Sequence, residues 1–344
     1  VSEDADADVA VPYPRESLQW FGNEDAERAL LDAYRGGRMP HAWLIGGPPG
    51  IGKATLAYRI ARFVLAHPHP AAPEVQSAGS LALPADHRAV RLVSAQGHPD
   101  LLVLERRPGE SGALRSVIAV EDVRRLVPFL GSTAGEAGWR VVVVDSADEL
   151  NAAGANALLK LLEEPPQRCL FLIVSHAPGR LLATIRSRCR RLLLRSLAPA
   201  DIAQAVAAAL GRDPHDAAVQ KAAAAAEGSV AHAMALLGGP LLAMRERVIE
   251  LLARLPATDA RALHALGESL ERADRLVLAT FVDVVRDWLS ARLAGGQLQG
   301  RGLVRLAQAW DDVNRSAREV EAFNLERKPL VFKVFGWLAE AARG

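Results

Sequence analysis

Cysteine is scarce in this 344-residue chain, which has only Cys169 and Cys189. Two cysteines cannot build a disulfide framework, so a reducing compartment, the cytoplasm, is the expected home. Aromatics are few, and no apolar run approaches the ~20 residues a membrane helix needs, so no membrane partner is expected. Lysine is rarer still. Of the 41 basic residues only five are lysine, which leaves 36 arginines, yet 40 acidic residues hold the net charge to +1. Arginine without an excess of charge does not by itself indicate nucleic acid. The opening stretch, VSEDADADVAVPYP, is acidic and has neither the basic nor the apolar segment of a secretory signal. Residues 1–17 are expected to be a disordered tail.

What the sequence does contain is alternation. Short apolar runs, AWLI (42–45), DLLVL (100–104), RVVVV (140–144), CLFLIV (169–174) and RRLLL (190–194), alternate with helical stretches over 24–35, 53–65, 120–130 and 152–163. That order predicts a P-loop α/β domain over 18–195 with a parallel five-stranded sheet, its strands buried on both faces. Residues 66–99, rich in Pro, Ala and His, read as an insertion between the first strand's helix and the second strand. From 196 onward the pattern is helical, with a break near LLGGPLL (236–242). This predicts a small helical lid (196–240) and an all-α C-terminal domain (241–344). AAVQKAAAAAEGS (217–229) is made of good helix formers and is expected to be a helix ending at glycine.

GGPPGIGKAT (46–55) carries the chemistry. It follows a strand and opens a helix, as a phosphate-binding loop must. Gly47, Pro48, Gly50 and Gly52 shape a loop whose backbone N–H groups can wrap phosphates, and Lys53 can reach the β- and γ-phosphates. The residue after the lysine should be a Ser or Thr that holds Mg²⁺. Here it is Ala54, and Thr55 points about 100° further round the helix. VVVVDSADEL (141–150) ends a strand on Asp145, a second metal-facing position. An active enzyme of this type follows it with a glutamate that activates water, but Ser146 stands there. Asp148 and Glu149 are poorly spaced substitutes. A glycine turn with a chance lysine, and an aspartate that merely caps the next helix, are the plain alternatives.

TIRSRC (184–189) sets Arg188 in a polar turn among three other arginines. NALLKLLEEPP (156–166), FLIVSHAPGRLLATIRSRC (171–189) and RMPHAWLIGGPPGIGKATLA (38–57) together resemble the clamp-loader AAA+ ATPases of replicative DNA polymerases, and among them the delta-prime type of bacterial DNA polymerase III. The resemblance spans roughly residues 18–240 and reaches the last hundred only through helical character. It implies that Ser187, Arg188 and Cys189 form the S-R-C turn whose arginine is a finger inserted in trans into a neighbour's ATP site. It also implies a C-terminal collar, and as partners the motor subunits, the delta subunit, the sliding clamp and primer–template DNA through its backbone. A planar, always-charged guanidinium suits the charge developing on a γ-phosphate.

Departures from that pattern point away from catalysis. The sensor position after the fourth strand is Ser175 or His176. The G-S-x-R signature reads GSVA (228–231), with Ala231 in place of arginine. The expected function is therefore a non-hydrolysing loader subunit that requires no cofactor, although ATP or ADP could occupy the pocket without turnover. Relatives of this type often carry a four-cysteine zinc module after the first helix; here 66–99 has no cysteine, only His67, His69, His87 and His98, and no zinc or other metal is expected. An active motor subunit, or an unrelated P-loop ATPase or kinase, is the competing reading.

Overall fold

The structure is a computed structural model that describes residues 12–107, 115–131, 138–237, 241–271, 275–294, 301–323 and 325–342. The chain divides at Met234/Ala235 into two compact units.

In the first unit, helix α1 (Glu24–Arg35) precedes strand β1 (Ala42–Gly46), α2 (Lys53–Ala66) and two short helices, α3 (Pro73–Ser77) and α4 (Arg88–Ser94). Then come β2 (Leu101–Leu104), α5 (Val120–Arg124), α6 (Leu126–Gly131), β3 (Arg140–Val144), α7 (Ala152–Glu163), β4 (Cys169–Ser175), α8 (Ala183–Arg188) and β5 (Arg190–Leu193). All five strands are parallel, in the order β2-β3-β4-β1-β5. Side chains alternate between the two faces, as the two-residue period of a strand requires. Trp43, Ile45, Val141, Val143, Leu172 and Val174 pack with α1 and α2. Leu44, Val142, Val144, Phe171 and Ile173 pack with α7 and Ile185 of α8. The architecture expected from the sequence, a parallel five-stranded sheet carrying the phosphate-loop motif with helices after it, is the one observed.

Several local expectations change. The helix predicted over 120–130 is two helices, because Pro128 has no N–H to donate to the carbonyl of Arg124 and its ring crowds that group. β5 is not buried on both faces. It is an edge strand on which Arg190, Arg191 and Leu193 are exposed. The 66–99 stretch is packed against the domain, with Val75, Leu81 and Val93 fully buried in one core with α2. Residues 1–11 of the expected tail lie outside the described residues. Residues 12–17 are held in place: Arg62 of α2 donates to the carbonyls of Ser17 (2.7 Å) and Arg15 (3.3 Å), and Ser94 Oγ donates to Arg15 (3.0 Å).

After β5, helices α9 (Pro199–Leu210), α10 (Ala217–Ala225) and α11 (Val230–Leu237) follow. α10 stops short of the expected glycine, because Glu227 and Gly228 already take left-handed backbone. The second unit holds α12 (Leu241–Ala253), α13 (Ala260–Glu271), α14 (Arg275–Ala294), α15 (Arg301–Phe323) and α16 (Lys328–Ala342). In it α16 packs on α13 and α15, and α12 on α14. Phe281, Val285, Leu289, Val313, Val334, Phe335 and Leu338 are buried there. No strand follows β5 among the described residues.

Candidate functional site

Parallel sheets place ligands at the carboxyl ends of their strands. Here β1, β3 and β4 run side by side, and Gly46, Asp145 and Ser175 end or follow them at one edge. The register sets Gly46 opposite Ser175, so the phosphate loop starts beside the sensor position.

The loop turns through positive φ at Gly47, Gly50 and Gly52, and Gly52 caps α2 in left-handed conformation. A Cβ on Gly50 would lie 2.0 Å from Ser229 Oγ, one on Gly47 2.7 Å from the Leu194 carbonyl oxygen, and one on Gly52 3.2 Å from the Trp20 ring, and the positive φ strains a side chain at all three. Lys53 opens α2, is 3% exposed, and donates from Nζ to the Pro48 carbonyl. Burial pushes its pKa down to about 8, against the pull of Asp148 and Asp145. An ammonium folded onto its own loop in a dry site is a ready partner for an anion.

A cavity of about 680 Å³ opens onto this loop. That volume suits a nucleotide, since ligand pockets run to roughly 300–1,000 Å³. Gly50, Gly52, Lys53, Thr55 and Asp145 line it, as do Ala54, Ser146, His176 and Ala231. Gly47 and Pro48 belong to the loop but not to the wall. The segment from Pro12 to Phe21 closes one side, and Ala205, Ala208 and Ala209 of α9 with Met234 of α11 form an apolar side. The sequence alone did not bring these walls together, because they come from stretches without a motif.

The metal side fits less well. Ala54 has no side-chain oxygen, and Asp145 shares its surroundings with Glu105. Burial first, and then Glu105, raise the Asp145 carboxyl above its ordinary range, with Lys53 opposing them. Asp148, the nearest substitute base, is engaged elsewhere. It accepts from Ser175 Oγ at 2.8 Å, from His176 N at 2.5 Å and from Ala177 N at 3.1 Å. Burial alone would raise its pKa, but these three donors outweigh it and hold the carboxyl low. Glu149 pairs with Arg106 Nε at 2.9 Å. The Ser146 hydroxyl lies 3.3 Å from His176 Nε2. The glycine loop, Lys53 and Asp145 therefore share one cavity, while the carboxylates of Asp148 and Glu149 are both engaged by other partners.

Arg188 does not line this cavity. It ends α8, where its guanidinium meets Glu163 of α7 at 2.7 Å and the Thr184 carbonyl at 3.1 Å, half-exposed to solvent. Ser187 beside it is exposed, and its hydroxyl donates to the Thr184 carbonyl at 3.0 Å. The Glu163 partner was legible only as the first glutamate of EEPP. Cys189 and Cys169 are buried, which pushes their thiols up to about 11 and about 12. In the 66–99 stretch His87 Nδ1 accepts from Ala89 N and His98 Nδ1 from Asp100 N, so each ring already serves its own backbone.

Comparison with known proteins agrees with this geometry. The family model for the DNA polymerase III delta subunit matches residues 22–198. The DNA polymerase III subunit delta' of Pseudomonas aeruginosa is 38% identical over 62% of this chain and 62% of its own length. That of Escherichia coli K12 is 37% identical over 53% of this chain and 50% of its own. The gamma/tau subunit of Mycobacterium tuberculosis is 32% identical over 54% of this chain and 30% of its own length. The matched part of the chain thus spans from 47% to 62% of the length of the delta' relatives. The match runs from the start of α1 through the phosphate loop, Asp145 and the S-R-C turn to the end of the sheet, and by it the chain belongs to the DNA polymerase III delta-subunit family.

Proposed function

We propose that this chain is a clamp-loader subunit that does not hydrolyse ATP, completes the loader ring, and lends Arg188 to a neighbouring subunit's ATP site. The observation that carries the reading is the pairing of an intact phosphate cradle with a missing catalytic set. Ala54, Ser146 and Ala231 stand where the metal ligand, the base and the lid arginine would act, and Asp148 is held by three donors. The relatives named delta' and gamma/tau support a place beside motor subunits in such an assembly.

Arg188 suits the role of finger for a physical reason. Its bridge to Glu163 is half-exposed, and such a bridge contributes little net energy, so a phosphate can replace the carboxylate at small cost. The remaining partners are the delta subunit, the sliding clamp and primer–template DNA, gripped through phosphates and without sequence preference. The helical second unit serves as collar, and residues 196–240 as lid. The cavity holds ATP or ADP through the loop N–H groups and Lys53, without turnover; Mg²⁺ finds an incomplete ligand set, and no zinc is required. The working compartment is the cytoplasm, which agrees with the lack of any membrane-length apolar helix among the described residues.

The test is Arg188→Ala in the reconstituted loader. The chain should fold and assemble, while ATP turnover at the one interface it serves falls by about 10³–10⁵, as for other in-trans fingers. Arg188→Lys should rescue poorly, because a point charge lacks the planar fork. Arg191→Ala, an exposed arginine on β5, is the control. Unchanged turnover with Arg188→Ala, or an equal loss with Arg191→Ala, rejects the finger.

A further inference from the structure

Lys53 is the one lysine or arginine among the described residues that lines the cavity, and the start of α11 is already bonded to the glycine loop. Among the described residues the charged side chains lining it are Glu16, Lys53 and Asp145, with His176 beside them, and no arginine reaches it. Glu105 adds a further negative charge next to Asp145. Beyond Lys53, a third phosphate meets no further positive side chain among the described lining residues, while Asp145 and Glu105 hold negative charge beside the site.

The lid offers nothing instead. The first two N–H groups of α11 point at the phosphate loop and are engaged by it: Val230 N donates to the Gly50 carbonyl at 2.9 Å and Ala231 N at 3.3 Å. Ser229 Oγ accepts from His232 N at 3.2 Å, capping the same helix. Behind this contact, Gly228 is pressed on Ser196, and its carbonyl accepts from Leu197 N at 3.2 Å. The start of α11 is thus fastened to the loop by backbone bonds that need no ligand. Ala231, on the cavity wall, ends in a methyl group.

Resting on the reading of this cavity as a nucleotide site, we infer that it is a nucleoside-diphosphate site, one that reads the base and two phosphates and is indifferent to a third. The loop N–H groups and Lys53 take the diphosphate. The apolar side made by Ile51, Ala205, Ala208, Ala209 and Met234 takes the base.

The experiment is calorimetric titration of the full chain with ADP and with ATP, each with Mg²⁺ and with chelator. ADP should bind at least as tightly as ATP, and Mg²⁺ should change the ratio little. Ala231→Arg should turn the preference toward ATP by about tenfold, the scale of one charge-assisted guanidinium–phosphate contact. Ala54→Ser, a smaller change, should make ATP binding respond to Mg²⁺. Tighter binding of ATP than ADP by the unaltered chain overturns the inference and leaves the nucleotide reading standing. Binding of neither, by a chain whose circular dichroism shows it folded, overturns both.

Discussion

Removing the Asp148 carboxylate separates a structural clip from a catalytic base. Asp148→Ala would strand three donors. The Ser175 hydroxyl is fully buried at the end of β4, and a buried hydroxyl without a partner costs about 1–3 kcal/mol. The N–H groups of His176 and Ala177 lie in a turn open to water and can be resolvated, so each adds less. The expected loss is therefore about 2–3 kcal/mol, well under the sum of three buried losses. Urea unfolding should show it as a lower midpoint at unchanged slope. Asp148→Asn should lose part of this, since its NH₂ group would face one of the donors. Ser175→Ala in the same background should be non-additive by about 1 kcal/mol, because it removes the donor that Asp148→Ala strands. Acid gives a second reading. The folded carboxyl is held below its unfolded value, so its contribution is present above the unfolded pKa and vanishes as pH falls through the folded one. Asp148→Ala should therefore flatten the acid limb of the stability curve. Stability within about 0.5 kcal/mol of the parent, the range of ordinary surface changes, would refute the clip.

Two further outcomes follow from buried groups in the same unit. Glu27 accepts from Arg59 Nε at 2.5 Å and from Leu81 N at 3.0 Å, so Glu27→Ala leaves a buried guanidinium unpaired. It should cost about 3–5 kcal/mol in urea unfolding, and a loss below about 1 would contradict the pairing. With both thiols pushed up by burial, iodoacetamide at pH 8 should leave Cys169 and Cys189 unmodified in the folded chain and label both after denaturation, read by mass spectrometry. Rapid labelling of the folded chain would place a thiol at the surface.

The sequence made the local parts of this molecule legible. The five strands are contiguous apolar runs, and the phosphate loop is a contiguous motif, so both could be read before any contact was known. Pro128 was also readable, and the break between α5 and α6 follows from its missing N–H. The parts that escaped are contacts between distant segments. Nothing in GSVA announces that Val230 and Ala231 grip Gly50, some 180 residues earlier. Trp20 carries no motif, yet its ring lies against Gly52. Val75 and Leu81 are buried without a helical or strand period to announce them, and the helical spacing of Ala89, Val90 and Val93 in α4 is only two turns long, because Pro-rich turns cut this stretch into pieces too short for pattern reading. Ala54, Ser146 and Ala231 were visible one by one as departures from their motifs, and the fold brings them to one cavity.

The edge strand β5 has a consequence for the chain on its own. An open parallel edge is a template on which another chain can add a strand, and the runs behind it are valine- and leucine-rich. This edge is only four residues long, and it presents Arg190 and Arg191 to solvent. Past its end, Asn23 occupies the next backbone positions by exchanging hydrogen bonds with Arg195, at 2.9 Å and 3.0 Å. Two such edges brought together would force guanidinium against guanidinium, with little strand left to reward the approach. A short, charged edge of this kind disfavours strand addition by a second copy, and the two arginines that give it that character stand two and three places after Arg188.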